Sequence, residues 1–366
     1  MRYLLRFSLL IIFLLTNILT VRAEDFQAAR PGRVWQFPRD HGAHPEFKTE
    51  WWYYSGHLRS KEGEAFGYQL TFFRVALKQP DPKAKSAWAA HTVYFAHLAL
   101  SAPGRGAFIF REKAGRGAMG LAGAETGRLR VWVDDWQAEG EGGEQHLRAK
   151  TDDLSLDLTL KPLKPPVLHG EKGYSRKAGG TETASHYYSI PRLATQGRIK
   201  LGKQTLEVTG ASWLDREFST SHLAPDQVGW DWFALQLADG TDIMLYLMRL
   251  KNGQLDPASS GTLINPQGQA QHLTLSDFKV QSTGAWKSAH SGANYPSGWQ
   301  ITIPEAGYHL TLTPTLADQE LRTGGSTRLI YWEGQVHIQG TKHNQPLTGQ
   351  GYTELTGYAG SLGGRF

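Results

Sequence analysis

The segment Thr49–Leu58, TEWWYYSGHL, decides the fold. Successive side chains of a strand alternate between two faces. Trp51, Tyr53, Ser55 and His57 therefore share one face, and Trp52, Tyr54, Gly56 and Leu58 the other. Lys61-Glu62-Gly63-Glu64 reads as the turn into Gly67–Val75, which completes a hairpin. His91–Leu100 and Leu129–Val133 repeat the pattern, and Leu154–Leu160 (LSLDLTL) alternates so strictly that one face must be buried and the other wet. Asp239-Gly240, between Trp232–Leu237 and Ile243–Leu247, is a type I′ hairpin signal. Gly298–Ile303, Tyr308–Thr313 and Tyr331–Gln339 carry the same style into the C-terminal half, and no window holds a helical apolar period beyond two turns. The expectation is all-β, built as closed or nearly closed antiparallel barrels, which remove exposed edges.

Composition agrees. The 366 residues include 41 Gly, 12 Trp, 14 Tyr and 15 Phe, a mixture of turn-formers and bulky strand-formers. The formal net charge of +5 is too small an imbalance to argue for a nucleic-acid partner. The absence of cysteine excludes disulfides, thiolate zinc sites and cysteine nucleophiles.

Arg2 and Arg6, the apolar run from Phe7 to Leu19 and Val21-Arg22-Ala23 are arranged as a secretion signal cleaved before Glu24. The core run is broken by Thr16 and Asn17 and falls short of the roughly 20 apolar residues of a membrane span. Cleavage removes three arginines and no acid, lowering the formal charge from +5 to +2. The expected location is the periplasm or the exterior.

Two units follow the signal. Thr209-Gly210-Ala211-Ser212-Trp213-Leu214-Asp215 and Thr348-Gly349-Gln350-Gly351-Tyr352-Thr353-Glu354 share the pattern T-G-x-small-aromatic-x-acid. With the polar stretch Ser219–Gln227 as seam, the organisation reads as a signal peptide at 1–23, a first domain at 24–222 and a second at 223–366.

No nucleotide-binding, zinc-protease or serine-elbow signature is present, and no cofactor is expected. His41-Gly42-Ala43-His44-Pro45-Glu46 could wrap a metal but reads better as a polar loop over a barrel mouth, and His91 and His97 stand too far apart along a strand to share an ion. His186 and Tyr188 point one way on their strand, as Trp213 and Asp215 do on theirs. If the strands are neighbours, an imidazole, a phenol, an indole and a carboxyl converge. Such a group suits protonation of an unactivated alkene, with aromatic faces stabilising the cation before water adds. The alternative for Asp215 is structural: an acid tying a turn, or paired with Arg216.

The stretches FPRDHGAHPEFKTEWWYYSGHL (37–58), GYSRK (173–177), SHYYS (185–189), GASWLDREFS (210–219) and GWDWFALQLADG (229–240) resemble the carotenoid 1,2-hydratase (hydroxyneurosporene synthase) and AttH family. The resemblance implies two lipocalin-like β-barrels. It also implies a His-x-aromatic pair followed, twenty-seven residues after the His, by an aromatic-x-Asp pair, a spacing that His186-Tyr187-Tyr188 and Trp213-Leu214-Asp215 keep. By that resemblance Asp215 is the proton donor, His186 its partner or the water-activating base, and Tyr188 and Trp213 the cation-stabilising walls. The aromatic identities at 188 and 213 are exchanged relative to the hydratases. Exported relatives are known as predicted secreted hydrolases or as partners of ABC transport systems. Two functions follow as expectations: acid-catalysed addition of water to a C=C bond of an isoprenoid or other lipophilic molecule, or non-catalytic carriage of such a ligand to or from an envelope ABC transporter. Carbohydrate binding is weaker, because Trp51, Trp52 and Trp232 lie in dense apolar strands that read as core.

Overall fold

The computed structural model describes residues 26–78, 90–141, 143–180 and 183–363; the expected signal peptide at 1–23 and the start at Glu24 lie outside them. Among the described residues there is no α-helix, and the chain is antiparallel sheet throughout. The hairpin expected around Lys61–Glu64 forms between β1 (Thr49–Ser60) and β2 (Ala65–Ala76), and β3 (Thr92–Ala102) and β4 (Ala107–Arg116) extend it. A second meander comprises β5 (Ala122–Ala124), β6 (Arg130–Val133), β7 (Trp136–Glu141), β8 (Glu144–Lys150) and β9 (Leu154–Pro162). After the short β10 (Val167–Leu168) and β11 (Tyr174–Arg176), the long β12 (Ala184–Leu201) and β13 (Gln204–Ser221) splice the meanders together, β12 on β9 and β13 on β1.

The resulting order, β4-β3-β2-β1-β13-β12-β9-β8-β7-β6-β5, curls until its ends nearly meet. A Cβ built on Gly115 of β4 would lie 2.7 Å from that of Ala122 in β5. The strict alternation of β9 has the expected cause: Leu154, Leu156, Leu158 and Leu160 are buried in the lumen while Asp157 faces water.

The second sheet repeats the plan with β14 (Gln227–Leu237), β15 (Asp242–Leu250), β16 (Ser260–Ile264), β17 (Ala270–Thr274) and β18 (Lys279–Ser282). A side hairpin of β19 (Ala285–Lys287) and β20 (Asn294–Pro296) precedes β21 (Trp299–Ile303), β22 (Tyr308–Pro314), β23 (Glu320–Arg322), β24 (Ile330–Lys342) and β25 (Gln345–Leu355). Its order is β17-β16-β15-β14-β25-β24-β22-β21-β18, with β23 on β24. β14 sits between β15 and β25 as β1 sits between β2 and β13, so the two T-G-x-small-aromatic-x-acid segments occupy equivalent strands, β13 and β25. Their glycines have a shared reason: a Cβ on Gly210 would lie 1.9 Å from the His57 carbonyl oxygen, and one on Gly349 2.7 Å from that of Gln236.

Both lumens are packed solid. Trp52, Tyr54, Phe66 and Trp136 fill the first, and Phe233, Trp299, Ile301 and Trp332 the second. The strands β1 and β14 are buried on both faces, because the outer walls of the barrels pack against each other. Tyr53, Tyr187 and Trp213 of the first meet Trp232, Tyr246 and Tyr352 of the second. The join is also polar: buried His57 accepts from Gln335 Nε2 at Nδ1 (2.7 Å) and donates from Nε2 to the Gly351 carbonyl (3.1 Å).

Candidate active site

A cavity of about 140 Å³ lies between the two barrels, on the face of β1, β2 and β13 that turns away from the first lumen. Alternation along β13 sends Leu214, Arg216 and Phe218 into or over that lumen and Trp213, Asp215 and Glu217 toward the cavity side. In the antiparallel register Asp215 stands opposite Tyr53 of β1 and opposite Ser189 of β12. Three donors converge on its carboxyl: Tyr187 OH on Oδ2 (2.6 Å), and Trp213 Nε1 (2.6 Å) and Ser189 Oγ on Oδ1. Behind Ser189 lies buried His169, whose ring nitrogens contact Ser189 Oγ (2.5 Å) and Thr262 Oγ1 (2.8 Å), and Trp232 Nε1 donates to the Tyr187 oxygen (3.0 Å).

Two effects oppose each other at Asp215. Removal from water favours the neutral acid, while three hydrogen bonds favour the anion. Burial wins, and the carboxyl is pushed up to about 7. The group can therefore give and take a proton near neutral pH. Its neighbour Glu217 is held otherwise: Lys177 Nζ lies 2.8 Å from Oε1 and over the rings of Tyr187 (4.7 Å) and Tyr246 (4.2 Å). Burial disfavours the Lys177 charge, but Glu217 and the surrounding groups outweigh it and raise its pKa.

The second barrel supplies acids to the same space. Glu354, the last residue of the second T-G-x-small-aromatic-x-acid segment, is paired across strands with Glu333. Trp230 Nε1 donates to Glu354 Oε2 (2.9 Å). Burial, with the charges of Asp215 and Glu217, pushes Glu354 up to about 7; burial and Glu354 push Glu333 well above the ordinary carboxyl range. The repeated motif thus aims one acid into the cavity from each barrel.

The four residues expected to converge do so only in part. Trp213 and Asp215 meet as expected, but His186 and Tyr188 lie on the opposite face of β12. The register opposes His186 to Phe218 and Tyr188 to Arg216, so Asp215 meets their neighbours Tyr187 and Ser189. Tyr188 OH is 2.6 Å from His41 Nδ1, and its ring packs edge-on against Trp35 and Phe37. His186 packs edge-on against Phe47, and burial lowers its pKa to about 4. Arg216 does not pair with Asp215: fully buried, it donates to Glu50 Oε1 (3.1 Å) and to the carbonyls of Trp51 and Gly42. The His41–Glu46 loop covers that end of the first lumen, with His44 Nδ1 2.8 Å from Glu50 Oε1, Nε2 3.2 Å from Asp40 Oδ1, and its ring stacked on Phe218. Among the described residues no group of three or more His, Asp or Glu side chains is arranged to hold a metal. Tyr53, Tyr187, Ser189, Lys177 and Glu333 escaped sequence reading because register is not written locally; Glu354 alone was signalled, by the repeated motif.

The AttH-like family model matches residues 28–358. The crystal structure of an AttH protein from Nitrosomonas europaea superposes with a TM-score of 0.82 at 36% identity, covering 91% of this chain and 99% of that one. Kievitone hydratase from Nectria haematococca shares the fold at a TM-score of 0.69 and 15% identity, covering 92% of this chain and 96% of its own. In sequence, kievitone hydratase of Fusarium solani subsp. phaseoli is 22% identical over 216 residues, which are 58% of this chain and 59% of the hydratase. The match along nearly the whole described chain, with two barrels of the same plan, places this protein in the AttH-like family.

Proposed function

We propose that the cavity between the barrels is an active site in which Asp215 catalyses addition of water to a C=C bond of an isoprenoid or other lipophilic molecule. One observation carries the reading: Asp215 is buried in an aromatic wall, faces the cavity, and is pushed up to about 7. Such a carboxylic acid protonates one alkene carbon as the π electrons form the new C–H bond. Water then adds to the cationic carbon, and the resulting oxonium returns its proton to the Asp215 carboxylate. Trp213 and Tyr187 orient the carboxyl, and Trp232 and Tyr53, packed edge to face, line the cavity in which the cation would form. The hydratase activity carried in the name of the kievitone relative supports the same reaction class. The test is incubation with prenylated phenols and acyclic isoprenoids in H₂¹⁸O. The expected product is heavier by one labelled water, and Asp215→Asn abolishes it; label-free recovery of every substrate contradicts the reading.

A carrier function draws on the same cavity, because apolar walls hold a lipophilic ligand without chemistry. In that reading the partner is an envelope ABC transport system, and Asp215→Asn leaves ligand transfer intact. For either function we propose export, from the leader-like residues 1–23. A mature N-terminus at Glu24 on periplasmic material supports export, and an intact Met1 on envelope-associated protein contradicts it.

A further inference from the structure

Two polar side chains in the wall of the cavity that Lys177 and Glu217 also line have donor or acceptor capacity left unused. The Tyr53 hydroxyl and Glu333 Oε1 are both buried and line the cavity; they are near enough to influence each other's proton, but neither has a partner at ordinary hydrogen-bonding distance and angle. Tyr53 is 8% exposed and Glu333 2%. Buried polar atoms without partners are rare, because each forfeits its hydration for nothing in return. The two come from different barrels, Tyr53 from β1 beside Asp215 and Glu333 from β24 beside Glu354, so the corner exists only where the barrels meet.

Building on the acid–alkene reading of this cavity, we infer that Tyr53 and Glu333 form a docking point for one acceptor oxygen of the ligand, a carbonyl, so that the substrate class is lipophilic molecules bearing both a C=C bond and a carbonyl group. Each group offers a proton. Burial first, and then the Glu354 carboxyl on the facing residue of the adjacent strand, keep Glu333 a neutral acid with an O–H to give. Burial, with the neighbouring Glu333, likewise keeps the Tyr53 phenol protonated. A phenol and a neutral carboxylic acid close together in the wall of one cavity form a strong receptor for an oxygen that carries partial negative charge. A ligand hydroxyl or ammonium fits less well, since an ammonium would need the pair ionised and a hydroxyl would satisfy one partner at a time. Because Tyr53 is the cross-strand neighbour of Asp215, a carbonyl held there fixes the hydrocarbon alongside the acid.

The probes are acetophenone and ethylbenzene, which match in shape and differ in the carbonyl; a cavity near 150 Å³ accepts a benzene ring. Calorimetry and the infrared C=O stretch of ¹³C-labelled acetophenone are measured on the full chain. In the unaltered protein the bound stretch is expected below its position in hexane. Tyr53→Phe and Glu333→Leu should each weaken acetophenone about tenfold and move the stretch back, with ethylbenzene unchanged within about twofold. Glu333→Gln, which keeps a donor, should restore most of the affinity. Unchanged acetophenone affinity and stretch in both variants overturns the docking point while leaving the lipophilic cavity standing. Failure of both probes to bind the unaltered protein overturns the docking point and the cavity reading together.

Discussion

The hydroxyl of Tyr187 donates to Asp215 Oδ2 at 2.6 Å, tying the cavity acid to the residue between His186 and Tyr188 rather than to either of them. That bond, with those from Trp213 and Ser189, orients the carboxyl without ionising it, because burial outweighs all three.

A stability slope follows. Asp215 loses its proton near 3.8 in the unfolded chain and near 7 in the folded one, so folding takes up a proton between those values. Stability contributed by the neutral acid is present below about pH 4 and declines as pH rises to about 7, by at most roughly 4 kcal/mol. Asp215→Asn removes that decline. The melting temperature of Asp215→Asn, measured against the unaltered protein, should therefore rise relative to it between pH 4 and pH 8; a constant offset would show that Asp215 is ionised in the fold.

His186 and Tyr188 are expected to act on the plug over the first lumen and not on the cavity. Tyr188→Phe loses the bond to His41, at a cost of about 1 kcal/mol. Ligand affinity should stay within about twofold of the unaltered protein in Tyr188→Phe and His186→Asn, and fall when Trp213 or Trp232 becomes Ala. Titration calorimetry with one cavity ligand separates the two sets.

The fold was legible and the site only half so, for one reason. Alternation in Thr49–Leu58 and Leu154–Leu160 sorts residues into two faces, which suffices for strands, hairpins and barrels. It does not say how far one strand slides past the next, and a one-residue slip exchanges the faces. Trp213 and Asp215 share a strand, so their meeting was readable; whether β12 offers Asp215 the pair His186 and Tyr188 or the pair Tyr187 and Ser189 depends on register. Nor does an aromatic residue reveal which wall it serves: Trp52 fills a lumen, and Trp51 on the next position faces the other barrel.

The Glu50–Arg216 pair is expected to be structural. Burial alone would raise Glu50, but Arg216, then His44 and Arg74, overcome it and hold the carboxyl down at about 2. Its contribution is present above about pH 4.5 and lost as pH falls toward 2. Glu50→Ala leaves the Arg216 charge buried without its partner and should cost about 3–5 kcal/mol in denaturant unfolding at pH 7.

Gly210→Ala should destabilise more than Gly349→Ala. The added methyl meets a backbone oxygen at 1.9 Å in the first case and 2.7 Å in the second, and backbone must move to relieve either. A loss of about 2 kcal/mol or more is expected for Gly210→Ala by denaturant unfolding, with a smaller loss at Gly349.

Asp215 is expected to keep an exchangeable proton near neutral pH inside the cavity. The most direct test is a ¹³C NMR titration of aspartate side-chain carboxyls, with the Asp215 resonance assigned by its absence in Asp215→Asn. A midpoint near 7 is expected for that resonance. A midpoint at or below the ordinary 3.8 would mean an ion fixed by Tyr187, Trp213 and Ser189, with no proton for Asp215 to give at neutral pH.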